Sequence, residues 1–228
     1  MNRLARTLQS SIGSKFLMSV TGILLLLFVI AHMLGNLQVF AGPDQLNAYA
    51  AKLQSLGPLL WVVRLGLLAI FVVHIGAAIR VTNSNRAARP VAYVYPGSVQ
   101  STFAGRTMMM SGLIVLAFLI YHVLHFTVGT TNPDHFHLVD ETGRHDVYSM
   151  VVMGFSQWPI ALVYVVANIL VGVHISHGAS SAFQTLGVTH PRLAFLKQGF
   201  GPGIATLIVV GNLSMPLACL FGLVQLPA

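Results

Sequence analysis

The chain has 228 residues, of which 55% are hydrophobic and only 7% are charged. Soluble domains carry about 25% charged residues, so this composition excludes a soluble protein and predicts an integral membrane protein. The formal net charge is +7, but no soluble basic face remains that could bind nucleic acid. The single cysteine, Cys219, excludes disulfides and CxxC metal sites.

Five apolar stretches are long enough to cross a bilayer, which takes about 20 residues. Their apolar residues are continuous and do not alternate, so they predict helices and not a β-barrel. We therefore expect an all-α membrane protein with one transmembrane helical domain over residues 1–228, a bundle of five transmembrane helices. The first span is too long for a signal peptide, and we expect an uncleaved anchor. The spans are predicted at about 16–36, 58–80, 107–129, 157–180 and 201–226.

The basic residues predict the orientation. With the N-terminus in the cytoplasm, nine basic residues fall inside: Arg3, Arg6, Lys15, Arg80, Arg86, Arg89, Arg106, Arg192 and Lys197. Three fall outside: Lys52, Arg64 and Arg144. Cytoplasmic loops carry an excess of Lys and Arg, so we expect the N-terminus inside and the C-terminus outside.

Six histidines fall within the spans, although no span contains a carboxylate. They are His32, His74, His122, His125, His174 and His177. An ionisable side chain in the membrane is costly and indicates a functional site. One such imidazole can instead hydrogen-bond to a neighbouring helix. That explanation is weaker for six histidines together.

Depth in the membrane sorts four of these histidines into two levels. His32 and His122 both lie about 24 Å from the inner face, from a rise of about 1.5 Å per residue. His74 and His174 lie near the inner leaflet, about 15–18 Å from the other level. Each level has two histidines from different helices, which predicts two bis-histidine haems b suited to electron transfer.

The second histidine of each pair, His125 or His177, follows the first by three residues. Spacing alone does not choose which of the two is the axial ligand. The other member can donate a hydrogen bond to a haem propionate. Arg64, Arg80 and Arg106 at the span ends are further candidates for propionate contacts, and snorkelling towards lipid headgroups is the alternative.

Four segments resemble one family. "IAHMLGN" in the first span, "VVHIGAAIRV" in the second, "IYHVLHF" in the third and "GVHISHGASSAFQTLGV" in the fourth are similar to the di-haem cytochrome b subunit of succinate:quinone oxidoreductases. This is the single-chain, five-helix type that also serves quinol:fumarate reductases. The likeness covers nearly the whole chain. It implies that His32 and His122 bind the outer, distal haem iron, and that His74 and His174 bind the inner, proximal one.

The resemblance also implies the partners. A flavoprotein subunit with FAD and an iron–sulfur subunit would bind on the cytoplasmic side, at the inner loops 80–106 and 181–200. This chain would anchor both in a bacterial cytoplasmic membrane and pass electrons to or from menaquinone, as part of the tricarboxylic acid cycle or of fumarate respiration. The chain itself would hold no dicarboxylate active site. Asn36 and Gln38, at the outer end of the first span, are candidates for holding a quinone carbonyl.

Other functions fit the sequence less well. The di-haem subunit of a formate dehydrogenase or a hydrogenase uses the same chemistry with different histidine placement. A transporter usually has carboxylates or broken helices at mid-membrane, and a metalloprotease needs HExxH. The outer loop "NPDHFHLVDETGRHD" could bind a divalent metal or cover a quinone pocket, but we expect it to be merely solvated.

Overall fold

The structure is a computed structural model that describes residues 10–88, 91, 101–188, 190–193 and 196–227. Within these residues, five helices are long and apolar enough to span a membrane. They are Ser11–Ala41, Pro58–Ala87, Met108–Val128, Trp158–Thr185 and Gln198–Leu220. The predicted all-α, multi-pass membrane protein is confirmed. Its orientation stays a prediction, and Arg3, Arg6 and Arg89 lie outside the described residues.

We number the α-helices in chain order. They are α1 (Ser11–Asn36), α2 (Pro43–Gln54), α3 (Pro58–Ala87), α4 (Phe103–Arg106), α5 (Met108–Val123), α6 (Pro133–Phe136), α7 (Val147–Phe155), α8 (Trp158–Thr185) and α9 (Gly201–Leu220). The spans differ from the prediction at their ends. The first begins earlier, the second and fourth run past residues 80 and 180, and the last stops before Gly222, whose φ is 69°.

Helix α2 lies in a segment that the sequence analysis left between two spans. Its local signals are ordinary ones: Pro43 at the first helical turn, Asp44 in that turn and Lys52 in the last turn. Proline at a helix start and opposite charges at the two ends both favour a helix. Gly42, with a φ of 99°, separates α2 from the short 3₁₀ helix Leu37–Ala41 that extends the first span.

The chain divides into two compact units. The first unit consists of the described residues of Met1–Phe28, Arg64–Gly112 and Val173–Ala205. The second unit consists of the described residues of Val29–Val63, Leu113–Gly172 and Thr206–Ala228. The prediction of a single domain stays a prediction.

The first unit has a core of small residues. Its buried members include Ser14, Ser19, Thr21, Ala77, Ser111, Ala179, Ala182 and Ala205. At Gly201 an added Cβ would overlap the carbonyl oxygen of Ser176 and Oγ of Ser180, so α8 and α9 touch almost backbone to backbone. Small residues at helix contacts are typical of membrane proteins. The histidines of this unit, His74, His174 and His177, are half-buried beside these small residues.

The second unit has a core of large apolar residues from α2, α7, α8 and α9. It includes Leu46, Val152, Phe155, Tyr164 and Met215. Other faces of the spans carry exposed large apolar side chains, as at Leu162, Val163 and Val166 of α8. An exposed apolar stripe of this length is expected on a surface that faces lipid.

Asn47 of α2 is the polar centre of the second unit. Its side chain is 1% exposed, accepts a hydrogen bond from the Tyr148 backbone N–H at 2.9 Å, and donates to Asp146 at 3.0 Å and to Asp140 at 3.3 Å. Asp146 also caps α7 by accepting from the Ser149 N–H. One buried amide thus joins α2 to the segment 140–148.

The segment 140–146 has internal hydrogen bonds, and Glu141, Thr142 and Gly143 in it are exposed. The expectation of a solvated loop stays a prediction. Asp140 accepts from Thr142 and Arg144, and Arg144 also pairs with Asp44 at 2.8 Å. Burial alone raises the pKa of Asp140, but the hydrogen bonds from Thr142 and Arg144 outweigh it and hold that pKa well below its usual range. The described residues contain no group of three or more potential metal ligands.

Candidate functional site

The structure separates the six span histidines into two groups. His74, His174 and His177 belong to the first unit, and His32, His122 and His125 belong to the second. Each group therefore contains one of the two pairs that the sequence predicts, with its members on different helices. Which of these residues bind a cofactor stays a prediction.

A threonine on α1 orients His74 in the first unit. Thr21 Oγ1 lies 3.1 Å from His74 Nδ1 and donates its own proton to the Leu17 carbonyl at 2.6 Å. A hydroxyl whose proton is already donated can only accept. The proton of the neutral His74 ring therefore belongs on Nδ1, which leaves Nε2 with a free lone pair.

Ser111 on α5 orients His174 in the same way. Its Oγ lies 3.1 Å from His174 Nδ1 and donates to the Met108 carbonyl at 3.1 Å. His174 then also carries its proton on Nδ1 and presents a bare Nε2. His74 and His174 lie close enough to interact electrostatically. In metal-binding histidines, the ring nitrogen that does not bind the metal usually donates a hydrogen bond, which fixes the tautomer.

A glycine follows each of these hydroxyl residues and makes room for the ring. A Cβ added at Gly22 would lie 3.2 Å from His74 Cε1, and one at Gly112 would lie 3.5 Å from His174 Cε1. The His74 ring is thus close enough that a side chain at Gly22 would press on it, whereas a Cβ at Gly112 would only touch His174. The hydroxyl fixes the rotation of each ring through its hydrogen bond. The glycine allows the ring to lie close to the helix backbone.

His177 has a different environment from His174. Its Nε2 lies 3.0 Å from Ser181 Oγ, and its Nδ1 lies 3.4 Å from Thr102 Oγ1. A Cβ added at Gly105 would lie 2.8 Å from its Cε1. Because hydroxyls engage both ring nitrogens, His177 is less suited than His174 to bind a metal. The choice of His174 as the ligand stays a prediction.

His32 and His122 face each other in the second unit. Their ring centres are 5.7 Å apart, and their planes are nearly perpendicular at 88°. Two imidazoles that bind one metal from opposite sides, each with a bond of about 2 Å, have ring centres about 6 Å apart. Asn36, one turn beyond His32, donates to the His32 carbonyl at 2.7 Å and lies 3.3 Å from its Nδ1.

An aromatic cluster surrounds His122 and His125. Its members are Phe118, Tyr121, Phe126, Phe155 and Tyr164. The segment Leu124–Val128 is a π-helix, which inserts an extra residue into the turn that contains His125. Such π-helical turns are frequent at functional sites. His125 itself is 2% exposed and lies with its Cε1 and Nε2 against Gly154.

The residues present fit two bis-histidine haems. In the first unit, two imidazoles each have a hydroxyl at Nδ1, among small residues and glycines, and this contact favours the tautomer that leaves Nε2 bare. In the second unit, two imidazoles face each other at nearly the separation of an axial pair. Nitrogen ligands of this kind suit haem iron. Hydroxyl-bound Nδ1 protons also supply the outer hydrogen bonds that metal-binding histidines usually make.

The other predicted site residues lie at the surface or are bonded locally. Arg64 and Arg106 are exposed, and Arg106 donates to the Ser101 carbonyl at 2.6 Å. Gln38 accepts a hydrogen bond from Gln45 at 3.1 Å. Thr21, Ser111 and Tyr164 were not recognised from the sequence. The signal for Thr21 and Ser111 was a hydroxyl residue directly before a glycine within an apolar span.

A cavity of about 460 Å³ lies in the second unit. It is lined by His135, Val152, Met153, Ser156, Gln157, Gln225 and Leu226. Nδ1 of His135 is buried and has no hydrogen-bond partner among the described residues. A buried polar atom without a partner is costly. The lining combines polar and apolar side chains, and the cavity is broadly open.

Comparisons with known proteins give no identification of this chain. No protein-family model, no curated protein and no solved structure matches it.

Proposed function

We propose that this chain is the di-haem cytochrome b subunit of a succinate:quinone oxidoreductase or quinol:fumarate reductase. The observation that supports it most is the arrangement of His74 and His174. Two histidines from different spans each have a hydroxyl at Nδ1 and a bare Nε2, with a glycine beside the ring. A hydrogen bond to a neighbouring helix accounts for one such histidine, but the same arrangement at two histidines of one predicted pair favours a shared ligand.

The proposed ligands define what the chain can do chemically. A haem held between two imidazoles supplies one-electron chemistry. His74 and His174 would hold one iron through Nε2, and His32 and His122 would hold the other. With two imidazoles on each iron, no position would remain for a substrate. The chain therefore transfers electrons, and dicarboxylate chemistry belongs to another subunit.

The partners in this proposal are a flavoprotein subunit with FAD and an iron–sulfur subunit on the cytoplasmic side of a bacterial cytoplasmic membrane. The inner loops 80–106 and 181–200 form their docking surface. Arg86, Arg106 and Arg192 are exposed there among the described residues. A basic surface of this kind attracts an acidic partner and increases its rate of association. The electrons then pass to or from a quinone, with menaquinone as the expected one.

The haem content of the purified chain tests the proposal directly. We expect two b haems per chain from a pyridine haemochrome assay, and low-spin spectra in both oxidation states. Mass spectrometry of the co-purified complex should identify a flavoprotein and an iron–sulfur subunit. A colourless protein would refute the proposal. A haem-containing protein purified with the subunits of a formate dehydrogenase or a hydrogenase would assign it to that other class of enzyme.

The cavity at His135 is our proposed site for the quinone ring, because it offers polar groups for the carbonyls and apolar side chains for the ring. Replacing Met153 with tryptophan fills it. We expect Met153→Trp to raise the KM for quinone several-fold with unchanged haem content, because the ring loses its space. The control is Val163→Trp, which adds the same side chain at an exposed apolar position of α8. If only Asn36→Leu raised KM, the quinone would bind at Asn36 and Gln38 instead.

A further inference from the structure

One tyrosine hydroxyl lies between two histidines in the second unit. Tyr164 Oη is 3.0 Å from His125 Nδ1 and 3.3 Å from His122 Nδ1. Tyr164 is 4% exposed and His125 is 2% exposed. The three groups therefore depend on one another for their hydrogen bonds, and the number of protons that they share limits how those bonds can form.

The proton count allows one fully bonded arrangement of these three groups. A tyrosine hydroxyl has one proton to donate, and a neutral imidazole has one N–H. If both Nδ1 atoms carried protons, the buried hydroxyl proton would have no acceptor among the three groups. If neither carried one, the hydroxyl could satisfy only one of them. Every group is bonded when one Nδ1–H donates to Tyr164 and the hydroxyl donates to the other Nδ1. The two histidines then hold opposite tautomers.

The surroundings decide which histidine has which tautomer. The His122 ring faces the His32 ring at 5.7 Å. The His125 ring has its Cε1 and Nε2 against Gly154, where an added Cβ would lie 3.3 Å from both atoms. The His32 ring thus lies opposite His122, whereas helix backbone occupies the corresponding position beside His125. His122 is therefore the ring that needs a bare Nε2.

We propose that Tyr164 is a positioning residue that sets the tautomer of His122, with His125 accepting its hydroxyl proton. His122 Nδ1–H donates to Tyr164 Oη, which leaves His122 Nε2 bare to bind iron. Tyr164 in turn donates to His125 Nδ1. The inference rests on the proposed function, because it assigns His122 as a haem ligand.

The hydrogen bond from His122 to Tyr164 has a measurable effect on the iron. An N–H that donates a hydrogen bond makes the opposite ring nitrogen a stronger base. A stronger imidazole ligand favours the oxidised iron and lowers its midpoint potential. Tyr164→Phe removes the acceptor and keeps the ring. We expect it to raise the midpoint potential of the haem in the second unit and to leave the haem in the first unit unchanged.

A redox titration of the purified complex, followed by its visible spectrum and by EPR of the low-spin ferric haems, measures this shift. Tyr121→Phe is the matched control. It removes a hydroxyl from the same aromatic cluster, where the Tyr121 and Tyr164 ring centres are 5.8 Å apart. We expect no shift in Tyr121→Phe. An unchanged potential in Tyr164→Phe, or an equal shift in both variants, would overturn the inference.

Two variants of His125 separate positioning from packing. His125→Asn keeps an acceptor oxygen near the place of Nδ1, so we expect it to retain the wild-type potential. His125→Leu has no acceptor, which frees the hydroxyl to donate to His122 Nδ1 and reverses the tautomer of that ring. We expect His125→Leu to weaken or lose the haem of the second unit. Equal behaviour of the two variants would overturn the inference.

The outcomes distinguish this inference from the proposed function. A wild-type protein without haem refutes the function itself. A wild-type protein with two haems, whose potentials do not change in Tyr164→Phe, refutes only the role of Tyr164. If Tyr164→Phe loses the haem of the second unit, retention of that haem in Tyr121→Phe and His125→Asn supports the inference, and its loss in those variants overturns it.

Discussion

Replacing His122 with alanine should lower the haem content from two per chain to one. Its imidazole faces His32 across 5.7 Å, so removal of either ring would leave the proposed iron of the second unit with a single protein ligand. The proposed haem of the first unit would keep its own pair, His74 and His174, and should remain. Pyridine haemochrome assays and reduced-minus-oxidised spectra of the purified variant measure this loss.

The assignment of the histidines to two pairs leads to further predictions. A general loss of protein stability would not produce the same results. His32→Ala should remove the same spectral component as His122→Ala, and the double variant should lose no more than either single variant, because both residues serve one site. His74→Ala should remove the other component. The matched control is His190→Ala, which removes an exposed histidine outside the spans. Loss of both haems in His122→Ala, with His190→Ala intact, would contradict two independent sites.

The second large effect is expected at Gly22. A Cβ at this position would lie 3.2 Å from Cε1 of His74, and the branched side chain of valine extends beyond that Cβ. Gly22→Val should therefore push the His74 ring away from Thr21 and prevent it from reaching the iron. We expect loss of the haem of the first unit, with the second haem retained, in the same haem and spectral assays.

Gly66→Val is the control for this substitution. Gly66 lies in α3, which is also a span, but no heavy atom is near the position where its Cβ would lie. Both variants add the same β-branched side chain to a transmembrane helix, so general effects on helix formation and insertion are matched. If Gly66→Val lost the same haem, the loss would come from changes in the helices and not from contact with His74.

Much of this arrangement could be predicted from the sequence. Hydrophobic runs and the positions of histidines can be read from it without knowing which distant residues are in contact. The five spans followed from length and apolarity, and their ends shifted where local signals continued the helix. Helix α2 was missed because it is too short and polar to be a span, although its N-terminal Pro43 and its terminal charges predict a helix.

The contacts between spans could not be predicted in this way. Thr21 and His74 are 53 residues apart, and Tyr164 is 42 residues from His122. Which face of each span meets another depends on packing, and a hydroxyl in an apolar run looks the same whether it faces lipid or an imidazole. The π-helix Leu124–Val128 also changes the angle between His122 and His125 from that of a regular helix. Spacing alone therefore left the choice of ligand open, and the structure gives a physical reason to favour the first histidine of each pair.

The hydrogen bonds of Asn47 have a consequence for biosynthesis. Its partners Asp140, Asp146 and Tyr148 lie 93 to 101 residues further along the chain. A ribosome that adds about 5–20 residues per second needs roughly 5–20 s to make that length. During this time the side chain of Asn47 lacks these three partners, while two more spans are inserted. The second unit therefore completes its polar contacts late, after the segment before the fourth span has been made.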